Sequence, residues 1–113
     1  METRVKTQIW VKAFIRRAEV DGFASVLLSR GDADAGAVLI KVNRFELGCV
    51  VYTQVRDEKG NPAWMTGTGR EPVLEADADA YIERQRQYDA DLWVVELEDP
   101  KSDYSLDAII LDA

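Results

Sequence analysis

The chain has 113 residues, of which 47% are hydrophobic and 31% charged, and its 14 basic and 21 acidic side chains give a net charge of −7. This composition is typical of one folded domain, and it excludes an intrinsically disordered chain. The single cysteine allows no intrachain disulfide, so a reducing compartment is expected. No apolar run approaches the ~20 residues of a membrane span, and the first ten residues do not resemble a signal peptide. We therefore expect a cytoplasmic protein with no membrane partner.

The charge is distributed unevenly along the chain. Residues 1–56 carry nine basic and six acidic side chains, a net charge of +3, whereas residues 57–113 carry five and fifteen, a net charge of −10. This asymmetry can reflect two contact surfaces, or only solvated charge scattered over the folded surface. Nucleic-acid binding normally requires a basic domain, so here it would depend on a local patch.

The first predicted element is a helix over residues 4–20. Apolar residues fill most of its circumference, so we expect neighbouring elements to cover it on more than one side. Trp10 and Phe14, four residues apart, are predicted to meet on one face as core residues. Arg17 lies on the flank of Trp10, where a charge requires a partner, and a carboxylate near Asp89 or Glu96 is expected to supply it.

The rest of the chain indicates several strands and one further helix. Residues 23–30 fit either a strand or a helix, and the turn that follows favours a strand. The segments with strand character are, in chain order, 23–30, 37–43, 49–56, 63–68 and 91–99. A second helix is predicted over residues 75–88. This order predicts a single α+β domain, with an antiparallel sheet of about four to five strands and both helices on one face.

The C-terminal tail, residues 102–113, combines polar residues with apolar ones. It must dock on its own domain or on another molecule, because its apolar side chains would otherwise remain in water. The candidate partner surface consists of Tyr104, Leu106, Ile109 and Ile110.

The sequence lacks the residues that most enzymes use. Without histidine, Ser-His-Asp and Cys-His arrangements and the common zinc sites cannot form. Cys49 lies in a predicted strand among apolar residues and is expected to be a buried, unreactive thiol. We predict no catalytic residue, no metal site and no cofactor, so a non-enzymatic protein is favoured over an enzyme.

The stretch "SRGDADAGAVLIKVNR", residues 29–44, is the candidate binding site. Asp32 and Asp34 lie between two glycines, in a pattern typical of a turn that leads into a strand. The alternative is an anion-binding rim in which Arg30, Lys41 and Arg44 converge beside the two aspartates. The turn is the preferred interpretation.

Three segments, "IWVKAFIRRAE", "RGDADAGAVLIKVNR" and "RQYDADLWVVELED", resemble a family of small bacterial, chiefly alphaproteobacterial, proteins known as domain of unknown function 1491. The resemblance covers most of the chain and is weakest after Asp103. It implies a small single-domain bacterial protein, and it implies no activity, cofactor or catalytic residue.

Three functions therefore remain open. The first is a non-catalytic binding or adaptor module that contacts an unknown protein or a second copy of itself. The second is a small-molecule or anion-binding protein that uses the loop at residues 29–44, including an enzyme that employs carboxylates and a metal. The third is nucleic-acid binding through the basic residues of the first helix, namely Arg4, Lys6, Lys12, Arg16 and Arg17.

Overall fold

A six-stranded mixed sheet with one helix on each face forms the body of the protein, in a computed structural model that describes residues 5–106 and 110–111. The elements are α1 (Thr7–Val20), β1 (Ser25–Ser29), β2 (Val38–Asn43), β3 (Cys49–Arg56), β4 (Pro62–Thr66), α2 (Glu75–Tyr88), β5 (Trp93–Glu98) and β6 (Ile110–Leu111). One turn of 3₁₀ helix, Phe45–Leu47, joins β2 to β3. The predicted α+β class and the order of helix, strands, helix and strand are confirmed, and residues 25–29 form a strand.

The strands lie in the order β1-β5-β2-β3-β4-β6. Most neighbours are antiparallel, but β5 pairs with β2 in parallel, and so does β6 with β4. The prediction of a wholly antiparallel sheet is therefore wrong. The chain crosses over through α2 before β5 inserts between β1 and β2, and a helical crossover is the connection that a parallel pair requires. Since β6 lies outside β4, the strand at Pro62–Thr66 is not at the edge of the sheet.

The two helices cover opposite faces of the sheet, rather than the same face as expected. On the α1 face, Val11 and Ala18 pack with side chains of the central strands such as Ile40 and Val95. On the α2 face, Ala78 and Ile82 pack with the alternate residues, which include Leu39, Val51 and Val94. All six residues of β2 are buried for this reason, which is the pattern of a strand covered on both faces.

The first helix is covered on one side only. Val11 and Ala18 are its buried residues, while Ile9 and Val20 are 58% and 74% exposed. The expectation of cover on several sides is wrong, because α1 lies on the outer surface of the sheet instead of between two layers. Trp10 and Phe14 do meet, with ring centroids 5.3 Å apart, but both remain partly exposed.

Candidate functional site

The structure separates the three cations of the predicted anion-binding rim. The guanidinium of Arg30 lies over the ring of Trp93, 5.3 Å from its centroid, at the start of β5. Arg44 donates through Nε to Asp99 at 3.2 Å, just beyond the other end of β5. Trp93 and Asp99 are six positions apart along the strand, a distance of about 20 Å. Lys41 is buried under α2, so the rim does not assemble.

The two aspartates of this stretch behave as turn residues. Asp32 accepts hydrogen bonds from the backbone N–H groups of Asp34 and Ala35 through its Oδ2, at 3.2 and 2.9 Å. Asp34 is exposed and forms an ion pair of 3.6 Å with Lys6. These contacts favour the interpretation of the stretch as a turn, and they leave no paired carboxylates directed at a common point.

Arg44 and Asp99 fix the start of the tail against the sheet. Asp99 is fully buried, and it accepts hydrogen bonds from the backbone N–H groups of Asp103 and Tyr104 as well as from Arg44. Burial alone would raise the pKa of this carboxyl, but the two N–H groups and the guanidinium outweigh burial and lower it. Arg44 therefore has a structural partner.

Three carboxylates surround the buried ammonium of Lys41. Its ammonium is 2.8 Å from Glu75 and 2.7 Å from Asp79, both on α2, and 3.7 Å from Glu96 on β5. The amide of Asn43 donates to Glu75 and Glu96 at 3.1 and 3.0 Å. The cluster fastens the first two turns of α2 to the sheet.

The electrostatics of this cluster keep Lys41 charged. Burial of the ammonium acts to lower its pKa, but the hydrogen bonds to Asp79 and Glu75 and the charge of Glu96 outweigh burial and raise it well above the ordinary value of 10.5. A lysine held in this way is not a general base near neutral pH, because its proton is too tightly bound.

The thiol of Cys49 is 1% exposed and contacts the Oδ1 of Asn43 at 3.5 Å. Burial is the main cause of the raised pKa of this thiol, and the charge of Lys41 acts in the opposite direction. The thiolate that a nucleophile requires is therefore disfavoured.

Sequence reasoning missed the partners of Lys41, although a signal was present. Lys41 and Asn43 share the side of β2 that carries Leu39, and Glu96 faces them from the parallel neighbour. Glu75 and Asp79, four residues apart, lie on one face of α2. Polar residues in the same alternation on two strands, with paired carboxylates on a helix, indicate a buried charge cluster.

Arg17 is exposed rather than buried, and its partner is Asp21. Its Nε is 3.1 Å from the carboxylate of Asp21, and its side chain is 76% exposed. The predicted partners Asp89 and Glu96 are thus wrong. The physical reason is that the flank of α1 that carries Trp10 and Arg17 faces an open cavity instead of a second layer of the fold.

The described part of the tail packs on its own domain. Leu106 is only 8% exposed and belongs to the core beneath α1, so it is not available as a partner surface. Tyr104 makes an edge contact with Phe23, with centroids 5.1 Å apart, and remains partly exposed. Ile109 lies outside the described residues, and for Ile110 the structure describes only the backbone pairing with Trp64 in β4.

An open cavity of about 480 Å³ lies between α1, β4 and the start of the tail. We call it the aromatic groove, and its walls include Trp10, Ala13, Phe14, Arg17, Trp64 and Tyr104. Trp10 is at the centre of the aromatic wall, because its ring lies 5.3 Å from Phe14 and 5.7 Å from Trp64. The groove lies beside α1, whose main strand contacts within the described residues are with β1 and β5, while Trp10 reaches across to Trp64 of β4.

A second cavity of about 390 Å³ continues beyond Trp10 towards the turn at residues 34–37. It shares Trp10, Gln54 and Pro62 with the aromatic groove, so the two cavities adjoin each other at these residues. The turn residues Asp34 and Ala35 line its far end, which places part of the sequence-predicted loop at this surface.

Across residues 5–106 and 110–111, no three cysteine or carboxylate side chains come together in an arrangement that could hold a metal ion. Neither helix of the described chain combines the length and the apolar character needed to cross a bilayer.

Comparisons with known proteins agree with the fold. The sequence is 39% identical to a crystal structure of a DUF1491 family protein from Caulobacter crescentus CB15, with a TM-score of 0.84 over 96% of this chain and 100% of that one. It is 38% identical to an NMR structure of a DUF1491 family protein from the same bacterium, with a TM-score of 0.83 over 98% and 100% of the two chains.

A more distant solution structure, of protein Atu0922 from A. tumefaciens, shares the fold. It is 24% identical, with a TM-score of 0.77 over 98% of each chain. No curated protein matches the sequence. Residues 5–107 match the family described as a protein of unknown function, DUF1491. The chain belongs to the DUF1491 family.

Proposed function

We propose that the protein is a non-catalytic binding module that takes up a segment of a partner protein in the aromatic groove. One observation carries this proposal: four aromatic side chains, Trp10, Phe14, Trp64 and Tyr104, line one open cavity beside an exposed arginine. Tryptophan, tyrosine and arginine are the residues that dominate the energetics of protein interfaces.

The groove is open along one side, so its shape favours an extended peptide over a ligand that needs a closed cavity. Ala13, Arg17, Pro62 and Ser105 are exposed along its rim, so the cavity is open to solvent on one side. The second cavity adjoins the groove at Trp10 and gives an extended chain further surface to contact. A bound segment would place apolar side chains between the aromatic rings and polar groups at the rim.

The chemistry of the lining supports binding over catalysis. Arg17 and Asp21 are the ion-forming side chains of the groove, and each is the other's partner at 3.1 Å. The perturbed groups Lys41 and Cys49 lie on the opposite face of the sheet, under α2. An exposed ion pair adds little binding free energy. At the rim of an apolar groove, such a pair serves mainly to orient the ligand.

The test is a selection from a displayed peptide library with the intact protein as bait, followed by affinity measurements on the selected peptides. Ala13→Lys adds a long charged side chain to the groove at an exposed position of α1, so the fold is retained while the groove is blocked. We expect binding to weaken more than tenfold. Ala80→Lys is the matched control, because Ala80 is an exposed alanine of α2, on the face of the sheet opposite the groove.

Selected peptides that bind wild type and Ala80→Lys equally, and Ala13→Lys much more weakly, would support the proposal. Equal binding to all three proteins, or no selected peptide, would contradict it.

A small apolar ligand is the second candidate, and the volume of the groove is the observation that favours it. About 480 Å³ lies within the ~300–1,000 Å³ of typical small-molecule sites. Such a ligand would contact Trp10 directly, whereas Trp64 is only 4% exposed. A ligand screen by tryptophan fluorescence, repeated on Ala13→Lys, tests this candidate, and it fails if no compound changes the wild-type signal.

A further inference from the structure

We propose that the partner segment in the aromatic groove is proline-rich and binds as an extended polyproline II helix, through carbonyl groups that accept hydrogen bonds from the floor of the groove. This inference rests on the proposed function and names the chemical class of its ligand. It is based on two N–H donors of the groove, on Trp64 and Gln54, that have no partner within the described chain.

The first donor is the indole N–H of Trp64. This residue is only 4% exposed, and its N–H forms no hydrogen bond with any other described residue. Every buried side-chain nitrogen and oxygen of the described chain has a hydrogen-bond partner, so this N–H must reach solvent. It does so in the aromatic groove, which Trp64 lines. The indole of Trp93, in contrast, donates to the carbonyl of Asp32 at 2.7 Å.

The second donor is the side-chain amide of Gln54. Its Oε1 accepts a hydrogen bond from the backbone N–H of Val38 at 3.2 Å, which fixes the orientation of the amide and leaves Nε2 as the free end. Nε2 has no partner among the described residues, and by the same reasoning it reaches solvent. Gln54 lines both cavities, so its amide lies where they adjoin.

The two donors belong to neighbouring residues of the sheet. Gln54 of β3 and Trp64 of β4 are directly opposite each other in an antiparallel pair, so their side chains share one face, with Cβ atoms about 5 Å apart. Trp10 lines both cavities and adds a third N–H without a partner in the described part of the chain. A complementary ligand therefore brings hydrogen-bond acceptors together with apolar surface.

The charge of the groove favours a neutral acceptor over an anion. Trp64 and Gln54 are uncharged donors, and the positive charge of Arg17 is offset by Asp21 at 3.1 Å. A carboxylate at the floor of the groove would lose its hydration without gaining a cation of its own, which is costly. A carbonyl oxygen can accept hydrogen bonds from the same N–H groups at a smaller cost of desolvation, because it carries no net charge.

Proline combines the required features. It presents a compact apolar ring and a carbonyl acceptor, and it has no backbone N–H that would need an acceptor in the groove. Proline-rich segments are extended, and their carbonyl groups are solvated instead of forming internal hydrogen bonds. Such segments lose little conformational entropy on binding, and they are recognised by grooves lined with aromatic side chains.

The test uses acetylated, amidated decaproline as the probe and the intact, isotope-labelled protein in solution. Hydrogen bonding moves the NMR signal of an indole proton downfield, and the chain contains three tryptophans. We expect the indole signal of Trp64 to move downfield during the titration, while that of Trp93, which is already bonded to Asp32, stays in place. A glycine-serine peptide of equal length is the control ligand, and it should move neither signal.

Gln54→Glu tests the amide donor separately. The change is isosteric and keeps an oxygen for the N–H of Val38, but it replaces the Nε2 donor with an acceptor that repels a ligand carbonyl. We expect the affinity for decaproline to fall about tenfold or more, because a polar group of the interface is left without its partner. Gln87→Glu is the matched control, since it makes the same change at an exposed position of α2, and it should bind as wild type does.

An unmoved Trp64 signal at millimolar decaproline would overturn the inference, and so would equal affinities of wild type and Gln54→Glu. If Gln54→Glu does not fold, the Trp64 signal decides alone. The peptides selected from the displayed library separate this inference from the proposed function. Selected peptides that lack proline, but lose binding to Ala13→Lys, would leave the groove as a peptide site and overturn the proline-rich ligand. If no peptide is selected and decaproline does not bind, both proposals are wrong.

Discussion

Lys41 places a positive charge inside the α2 face of the sheet, and three carboxylates hold it there. Replacement by methionine would keep the approximate volume and leave Glu96, whose side chain is only 16% exposed, without its cation. A fully buried ion pair that loses one partner is destabilised by about 3–5 kcal/mol. Because Glu75 and Asp79 are more than half exposed and can regain water, we expect Lys41→Met to lower the free energy of unfolding by about 2–3 kcal/mol.

Chemical denaturation at pH 7 measures this difference, with Lys59→Met, an exposed lysine in the β3–β4 turn, as control. The raised pKa means that the folded state binds the proton of Lys41 more tightly than the unfolded state does. The contribution of Lys41 is therefore complete below pH 10.5 and declines as the pH rises towards the folded-state pKa. A difference between wild type and variant that changes between about pH 7 and pH 9 would contradict this explanation.

At the scale of residues, the sequence predicted whether a side chain is buried better than it predicted which residues contact that side chain. Cys49 is buried as expected, because the apolar residues around it in the strand are a local signal. The neighbours of Lys41 and Arg17 are not local. They depend on which face of the sheet each helix covers, and alternation within one strand does not contain that information.

The sequence suggests that the glycines between β1 and β2 serve to form a turn. In the structure, Gly36 also allows the backbone of this turn to pack closely on β5. A Cβ at Gly36 would collide with the backbone carbonyl of Asp91 and come within 2.9 Å of the Trp93 side chain. The backbone of the turn therefore packs directly on the start of β5. The Trp93 indole completes the contact by donating to the carbonyl of Asp32 at 2.7 Å.

We expect Gly36→Ala to lower the free energy of unfolding by about 1–3 kcal/mol, the usual range for overpacking, because the obstacle is backbone rather than a flexible side chain. Ala35→Ser is the control, one position earlier and exposed to solvent. Denaturant titrations of both variants make the measurement. Equal stability of Gly36→Ala and wild type would mean that the turn moves away from β5 at no cost.

At the scale of elements, the predicted segments correspond closely to the observed ones. The second helix has the predicted bounds, with the predicted acidic residues in its first turn, and β3 has its predicted bounds as well. The first helix is the exception, because its wide apolar surface suggested burial on several sides. Part of that surface forms the wall of the aromatic groove instead, and the apolar excess of a helix does not distinguish core from binding surface.

For the whole molecule, the order of strands was the part that local patterns could not supply. β5 is far from β2 in the sequence but lies beside it in the sheet. The positions of both helices and of both cavities depend on this insertion. The insertion also leaves β1 at the edge.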